Sequence, residues 1–178
     1  MHAQTWTWPP GTVEPETISV SMSATAMLSG VTMSGPMFAH GVGGGTANME
    51  FEVLTGMSMS QLPPHVTSPF QMLVPAHRWM PSVAWYLPGL GHDTVAVHPY
   101  LGSMYRRTTA YPRLGIDTFL DVRHLPGLEL IQDNPSPSDA STFDRVVDHL
   151  ESSERPIFMN LVTMQNHFPY GEMYDDPI

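Results

Sequence analysis

A threonine stands between a glycine-rich turn and a stretch that favours a helix. Glycines 43–45 allow positive φ and let the backbone approach a ligand closely. Thr46 would lie just ahead of the helix N-terminus, where unpaired N–H groups and the helix dipole favour a bound anion. The position suits a hydroxyl nucleophile that attacks a phosphate or sulfate ester. A flexible glycine loop with a capping threonine is the structural alternative.

The helix after Thr46 is expected to be short. Asn48 is a residue type that caps helices, and Glu50 and Glu52 would then lie in a first turn that favours negative charge. Gly56 is placed to end the helix. The apolar side would carry Met49, Val53 and Leu54.

Two histidines follow apolar segments that are typical of buried strands. Residues 94–98 and 157–164 predict these strands, and His98 and His167 come at or just after their carboxyl ends. Because ligands of parallel sheets bind at that edge, both imidazoles are candidates for hydrogen bonding to ester oxygens or for acid–base work. A structural hydrogen-bonding role is the alternative for either one.

An adjacent pair of arginines is the other candidate for anion binding. Arg107 could hold a phosphoryl or sulfuryl oxygen in its planar fork, and Tyr105 could pack beside the substrate. A solvated loop pair is the alternative for Arg106 and Arg107. All seven cationic residues are arginines and the formal net charge is −10, which argues against a nucleic-acid-binding surface.

The composition is that of one globular domain. The 178 residues are 42% hydrophobic and contain no cysteine, so any metal would use histidine, carboxylate or hydroxyl ligands. No apolar run is long enough to span a membrane, and no signal peptide is visible. Residues 1–35 have no readable pattern. Residues 36–38, just after them, are a candidate for a short strand that leads into the glycine turn.

The remaining patterns alternate helices with strands. Residues 57–75 read as a loop, 76–87 as an amphipathic helix and 101–125 as a short helix and a loop with Phe119 and Leu120 packing inward. The helix predicted for 138–155 would be capped by Ser138, with Phe143, Val146, Val147 and Leu150 at helical spacing. This alternation predicts an α/β fold with a largely parallel sheet flanked by helices.

The chain resembles the lipoteichoic acid synthase-like phosphoglycerol transferases of the sulfatase and alkaline phosphatase superfamily. Four segments match this family in order, over residues 36–170: residues 43–56 around Thr46, 98–100, 104–117 and 163–170. The resemblance implies that residues 1–178 form a single partial sulfatase-like catalytic domain.

The resemblance also implies roles for individual residues. Thr46 would be the nucleophile and would also bind a divalent metal, typically Mn²⁺. It would accept phosphoglycerol from phosphatidylglycerol and pass it to a glycerol-phosphate chain or a glycan. Arg107 and His167 match positions that bind phosphoglycerol, Tyr105 matches an aromatic beside the arginine, and His98 matches a histidine near the site.

The other metal ligands of the family are not found in this sequence. The family uses a glutamate after an early strand, where this chain has residues 3–6 (Ala-Gln-Thr-Trp), and a later Asp-His pair, where it has Asp175 and Asp176 without a histidine. We therefore expect a fragment of a longer enzyme or a truncated relative. The family's membrane-anchoring helices are not seen either.

Three functions are consistent with these features. The leading one is a partial phosphoglycerol transferase domain at the extracytoplasmic face of a bacterial membrane. A sulfatase or phosphodiesterase of the same superfamily is the second, although the sulfatase Cys/Ser-x-Pro-x-Arg pattern is not found. A non-catalytic remnant that binds anionic ligands is the third. A partial sheet with an unpaired edge would also allow self-association.

Overall fold

Short helices alternate with parallel strands over residues 45–167, the part of the chain that this computed structural model describes. The α-helices are α1 (Thr46–Thr55), α2 (Pro69–Met72), α3 (Arg107–Arg113) and α4 (Asp139–Glu151). The strands are β1 (Asp93–His98), β2 (Thr118–Asp121) and β3 (Ile157–Leu161). Single 3₁₀ turns lie at Met59–Gln61, Val74–Ala76, Val83–Trp85, Pro88–Leu90, Met104–Arg106 and Val122–His124.

The three strands form one parallel sheet with β1 in the centre, in the order β2-β1-β3. Val95 of β1 lies opposite Thr118 on one side and Met159 on the other. Helices α3 and α4 connect these strands, as parallel pairing requires. The predicted α/β fold with a parallel sheet is confirmed.

Both faces of the sheet are covered by apolar side chains. Ala96 and Phe158 pack into a cluster that also holds α1 and α3, whereas Val95 and Val97 pack on the opposite face with Val146 of α4. Alternate residues of a strand point to opposite faces, which explains the division. For the same reason Phe119 and Leu120 pack into different clusters, both half-buried, so their inward packing is confirmed.

Helix α1 begins at Thr46, so Asn48 does not cap it. The N-cap is Gly45, whose φ of 80° only glycine adopts readily, and the Asn48 amide instead donates to the carbonyl of Thr67 at 3.0 Å. Glu50 consequently lies a full turn into the helix rather than at its start. Gly56 ends the helix as predicted, with φ 72°.

The buried side of α1 also differs from the prediction. Val53 is 60% exposed, and the buried residues are Ala47, Glu50, Phe51 and Leu54. These four residues also follow the helical spacing. Because Glu50 is charged, however, a search for a purely apolar stripe does not find them. Glu50 is thus buried among apolar residues.

The amphipathic helix predicted for 76–87 is wrong. Pro81 keeps Met80 out of the helical conformation, and the Met80 N–H donates to the carbonyl of Arg113 at 2.8 Å instead. Ser82 Oγ donates to the Leu114 carbonyl in the same way. The segment therefore follows the end of α3 as a series of turns, because its polar groups find partners there.

The other predicted elements agree in place but not always in extent. Ser138 caps α4 through Ser141 N–H, yet the helix ends at Glu151 rather than at 155. Only Val146 of its predicted apolar side is buried; Phe143, Val147 and Leu150 are half-exposed. The predicted loop 57–75 contains α2, and β2 was not predicted because it has four residues and polar ends.

Several predictions fall outside the described residues. These concern the possible strand at 36–38, most of the glycine turn, the end of the fourth family segment at 168–170, and Asp175 and Asp176. Within residues 45–167, no helix has both the length and the apolar character that crossing a bilayer requires.

Candidate active site

Thr46 is the first residue of α1 and its side chain is exposed. The N-cap residue, Gly45, has no side chain to cap this end of the helix, and its carbonyl binds the N–H of Asn48 at 2.7 Å. An uncapped helix N-terminus beside an accessible hydroxyl is a favourable place for an anionic group. Thr46, the predicted nucleophile, is therefore an exposed hydroxyl at the start of α1.

Arg107, the first residue of α3, is buried rather than solvated, with 1% of its side chain exposed. Its Nη2 pairs with Glu50 Oε1 at 2.5 Å and its Nε donates to Oε2 at 3.4 Å. Its Nη1 contacts His98 Nε2 at 3.2 Å and the carbonyl of Met104 at 3.4 Å. Tyr111 also hydrogen-bonds Arg107, so the guanidinium is enclosed by Glu50, His98, Tyr111 and the carbonyl of Met104.

Glu50 accepts hydrogen bonds from two further side chains. Tyr111 OH donates to Oε2 at 2.5 Å and Asn160 Nδ2 lies 3.4 Å from the same oxygen. Burial, followed by the charge of Glu50, raises the pKa of Tyr111 well above its usual value, so the phenol keeps its proton. Burial would lower the pKa of Arg107, but the charge and hydrogen bonds of Glu50 outweigh this and raise it.

His98, at the end of β1, uses both ring nitrogens inside the protein. Its Nδ1 lies 2.9 Å from the carbonyl of Val162, which can only accept, so Nδ1 carries the proton and Nε2 accepts from Arg107. Burial and then the charge of Arg107 lower the pKa of His98 below 6.5. The neutral imidazole thus acts as an acceptor for the arginine.

Tyr105 lies against Arg107, with the guanidinium carbon 5.2 Å from the ring centroid. Tyr105 and Arg106 both have left-handed backbones, with φ of 53° and 59°. Non-glycine residues rarely adopt this conformation, and such strain is concentrated at functional sites. The two strained residues turn Arg107 inward while Arg106 remains exposed and donates to the carbonyl of Gln71.

His167 is exposed, six residues beyond the end of β3. Its charge is among the causes that lower the pKa of His98, which places the two imidazoles within electrostatic range of one another. The carboxyl ends of β1 and β3 therefore bring both predicted histidines to one edge of the sheet.

The structure joins the predicted residues through side chains that the sequence analysis did not select. His98, Tyr105 and Arg107 are in contact, and Thr46 is linked to them by Glu50, four residues along α1. The missed residues are Glu50, Tyr111 and Asn160. Each of them has a feature in the sequence that could have indicated it. Glu50 is a carboxylate on an apolar helix side, Tyr111 lies one turn after Arg107, and Asn160 is an amide inside an apolar strand.

The described residues do not complete a metal site. Within 45–167, no group of three or more histidine, aspartate or glutamate side chains is arranged to hold an ion. Thr46 is the only predicted ligand in this range, and the nearby carboxylate of Glu50 is already bound to Arg107 and Tyr111. These side chains therefore do not fit the divalent-metal site that the resemblance implies.

Comparison with known sequences identifies the family. The sulfatase family model matches residues 15–177. A protein of Rhizobium meliloti (strain 1021), named "Putative cyclic beta-1,2-glucan modification protein", is 34% identical over 136 residues, which cover 76% of this chain and 20% of that protein. The chain therefore spans only about one fifth of this relative's length.

Two solved structures are similar to the described fold. The Streptococcus pyogenes phosphoglycerol transferase GacH, in complex with sn-glycerol-1-phosphate, has a TM-score of 0.65 and 26% identity, over 78% of this chain and 36% of that one. The lipoteichoic acid synthase LtaP from Listeria monocytogenes has a TM-score of 0.58 and 25% identity, over 71% and 30%. The chain thus belongs to the sulfatase family, as a lipoteichoic acid synthase-like member of the sulfatase and alkaline phosphatase superfamily.

Proposed function

We propose that this chain is a partial catalytic domain of a phosphoglycerol transferase that uses Thr46 as its nucleophile. One observation carries the proposal: Thr46 is exposed at an uncapped helix N-terminus, one helical turn from the carboxylate that holds Arg107. Four residues along a helix correspond to about 6 Å. The similarity to GacH, solved with sn-glycerol-1-phosphate, supports glycerol phosphate as the group that is bound.

In this proposal the donor is a phosphatidylglycerol-type lipid. The Thr46 oxygen loses its proton and forms a bond to phosphorus, the bond from phosphorus to the diacylglycerol oxygen breaks, and that oxygen takes up a proton, so no net proton is released. Negative charge on the transferring group is stabilised by the N-terminus of α1 and by the positive charge of Arg107. His167, which is exposed, hydrogen-bonds the glycerol-phosphate group, and His98 and Tyr105 hold Arg107 in place.

The acceptor in this proposal is a glycan or a glycerol-phosphate chain. A glycan is supported by the name of the Rhizobium meliloti relative. The reaction would take place at the extracytoplasmic face of a bacterial membrane. The family resemblance also implies a divalent metal, typically Mn²⁺, which Thr46 would bind only together with ligands that residues 45–167 do not supply.

Mass spectrometry of the protein after incubation with phosphatidylglycerol vesicles and Mn²⁺ tests the proposal. We expect a phosphoglycerol adduct on the peptide that contains Thr46, together with free diacylglycerol, and neither product from Thr46→Ala. Free glycerol phosphate without a trapped adduct or transfer product would support the hydrolase. Binding of sn-glycerol 1-phosphate without turnover, and equally by Thr46→Ala, would support the non-catalytic binding protein.

A further inference from the structure

We propose that Glu50 is a positioning residue that orients the guanidinium of Arg107 toward the phosphate of the substrate. This role rests on the proposed function, because it requires that Arg107 bind the transferring group. It adds a residue that neither the family segments nor the reaction steps above assign. Two features of the structure support it, the two-point contact and the attachment to α1, and the sign of the charge makes it testable.

The two-point contact fixes the plane of the guanidinium. Glu50 uses both carboxylate oxygens on Arg107, Oε1 to Nη2 and Oε2 to Nε, and both side chains are buried. A carboxylate that bridges two nitrogens of the fork prevents rotation about the bonds of the arginine side chain. His98 and the Met104 carbonyl hold Nη1, and Tyr111 also hydrogen-bonds Arg107, so the guanidinium is held from several sides.

The attachment to α1 relates the arginine to the nucleophile. Thr46 and Glu50 are four residues apart on one helix and therefore lie on the same side of it. Tyr111 and Asn160 in turn fix the carboxylate from α3 and β3. The distance from the Thr46 hydroxyl to the Arg107 fork is consequently set by a rigid helix, which positions a reacting group better than a loop does.

The charge of Glu50 opposes anion binding, and this makes the inference testable. A carboxylate beside Arg107 weakens the attraction of that arginine for phosphate. If Glu50 only neutralised Arg107, its removal would strengthen phosphate binding. If it positions Arg107, its removal weakens binding in spite of the favourable change in charge. The two roles therefore predict effects of opposite sign.

A first experiment needs no ligand. The Nε–H signal of Arg107 in ¹⁵N-labelled protein, assigned by its absence in Arg107→Lys, reports how firmly the guanidinium is held. We expect slow hydrogen exchange in the parent, fast exchange in Glu50→Gln, and an intermediate rate in Tyr111→Phe. The matched control is Glu52→Gln, on the same helix, where Oε1 accepts from the backbone of Met59 instead. Unchanged exchange in Glu50→Gln would overturn the inference.

A second experiment measures binding of sn-glycerol 1-phosphate by calorimetry. We expect Glu50→Gln to weaken binding about tenfold, and Glu52→Gln to leave it unchanged. In an Arg107→Ala background, Glu50→Gln should have no further effect, because Glu50 acts only through Arg107. Tighter binding by Glu50→Gln, or an equal loss in both backgrounds, would contradict the positioning role.

The two experiments separate this inference from the proposed function. If the parent does not bind sn-glycerol 1-phosphate, or Arg107→Ala binds it as well as the parent, the proposed function fails and positioning for phosphate fails with it. The exchange of Arg107 Nε–H then still shows whether Glu50 orders the guanidinium. Thermal melting shows whether the Glu50→Gln variant is folded. If it is not, the Tyr111→Phe variant replaces it, and an unchanged exchange rate of Arg107 Nε–H in that variant would count against the proposal.

Discussion

Arg107 and Glu50 form a buried ion pair across 57 residues of sequence, with 2.5 Å between Nη2 and Oε1. The exposed fractions of the two side chains are 1% and 5%. Removing one partner of such a pair leaves an uncompensated charge in the interior and costs about 3–5 kcal/mol, whereas forming the pair contributes far less. The pair therefore specifies a geometry more than it stabilises the fold.

The two adjacent arginines should differ in ligand binding. We expect Arg107→Ala to weaken the binding of sn-glycerol 1-phosphate at least tenfold and Arg106→Ala to change it less than twofold, because only Arg107 belongs to the buried network. Calorimetry at a temperature where both variants remain folded measures this. Equal losses would remove Arg107 from the binding role.

His98 should remain neutral at neutral pH, with its proton on Nδ1. Since its pKa in the folded protein is below 6.5, the stability that the neutral ring contributes is present above pH 6.5 and is lost as the pH falls through the folded value. Imidazole NMR measures that pKa. We expect Arg107→Ala to raise it and Glu50→Gln to lower it further, because the two charges act in opposite directions. A shift of the His98 pKa in the same direction in both variants would contradict the assigned contacts.

Gly102 should not tolerate a side chain. A Cβ there would lie 2.7 Å from Asp121 Oδ2, 2.8 Å from the ring of Phe119 and 2.9 Å from Thr108 Oγ1. Gly102→Ala should therefore lower the free energy of unfolding by about 1–3 kcal/mol, measured by urea denaturation. Gly89→Ala is the matched control, because a Cβ there has no neighbour within 4 Å. A loss no larger than that of the control would show that the loop after β1 can shift.

Asp121 should make stability depend on pH in the acid range. Burial would raise its pKa, but hydrogen bonds from the side chain and backbone of Arg123 outweigh burial and lower the pKa from 3.8 to about 2. The contribution is present above pH 3.8 and is lost as the pH falls toward 2. It amounts to on the order of 1 kcal/mol, because the exposed guanidinium of Arg123 is screened by solvent.

Urea unfolding of Asp121→Asn between pH 5 and about pH 2 measures this contribution. The variant should lose less stability than the parent over that range. Asp117→Asn, at an exposed aspartate, should follow the parent. Parallel curves for the parent and Asp121→Asn would contradict the role of Asp121.

The sequence alone determined several of the local elements and the family of the chain. Apolar runs bounded by turn residues located β1 and β3, and Ser138 and Gly56 marked helix ends, because strand burial and helix capping depend on neighbouring residues. Four ordered segments indicated the family, and they included Thr46. The roles predicted for all five site residues, Thr46, His98, Tyr105, Arg107 and His167, remain predictions.

Only the tertiary structure decided which side of α1 is buried, and hence that Glu50 points toward Arg107. Asn160, which contacts Glu50, is 110 residues away in sequence, and no local pattern encodes such a contact. The segment 76–87 became turns because its backbone and Ser82 bind the end of α3. The physical reason is the same in each case: a buried polar group must find a partner, and the fold rather than the nearby sequence supplies it.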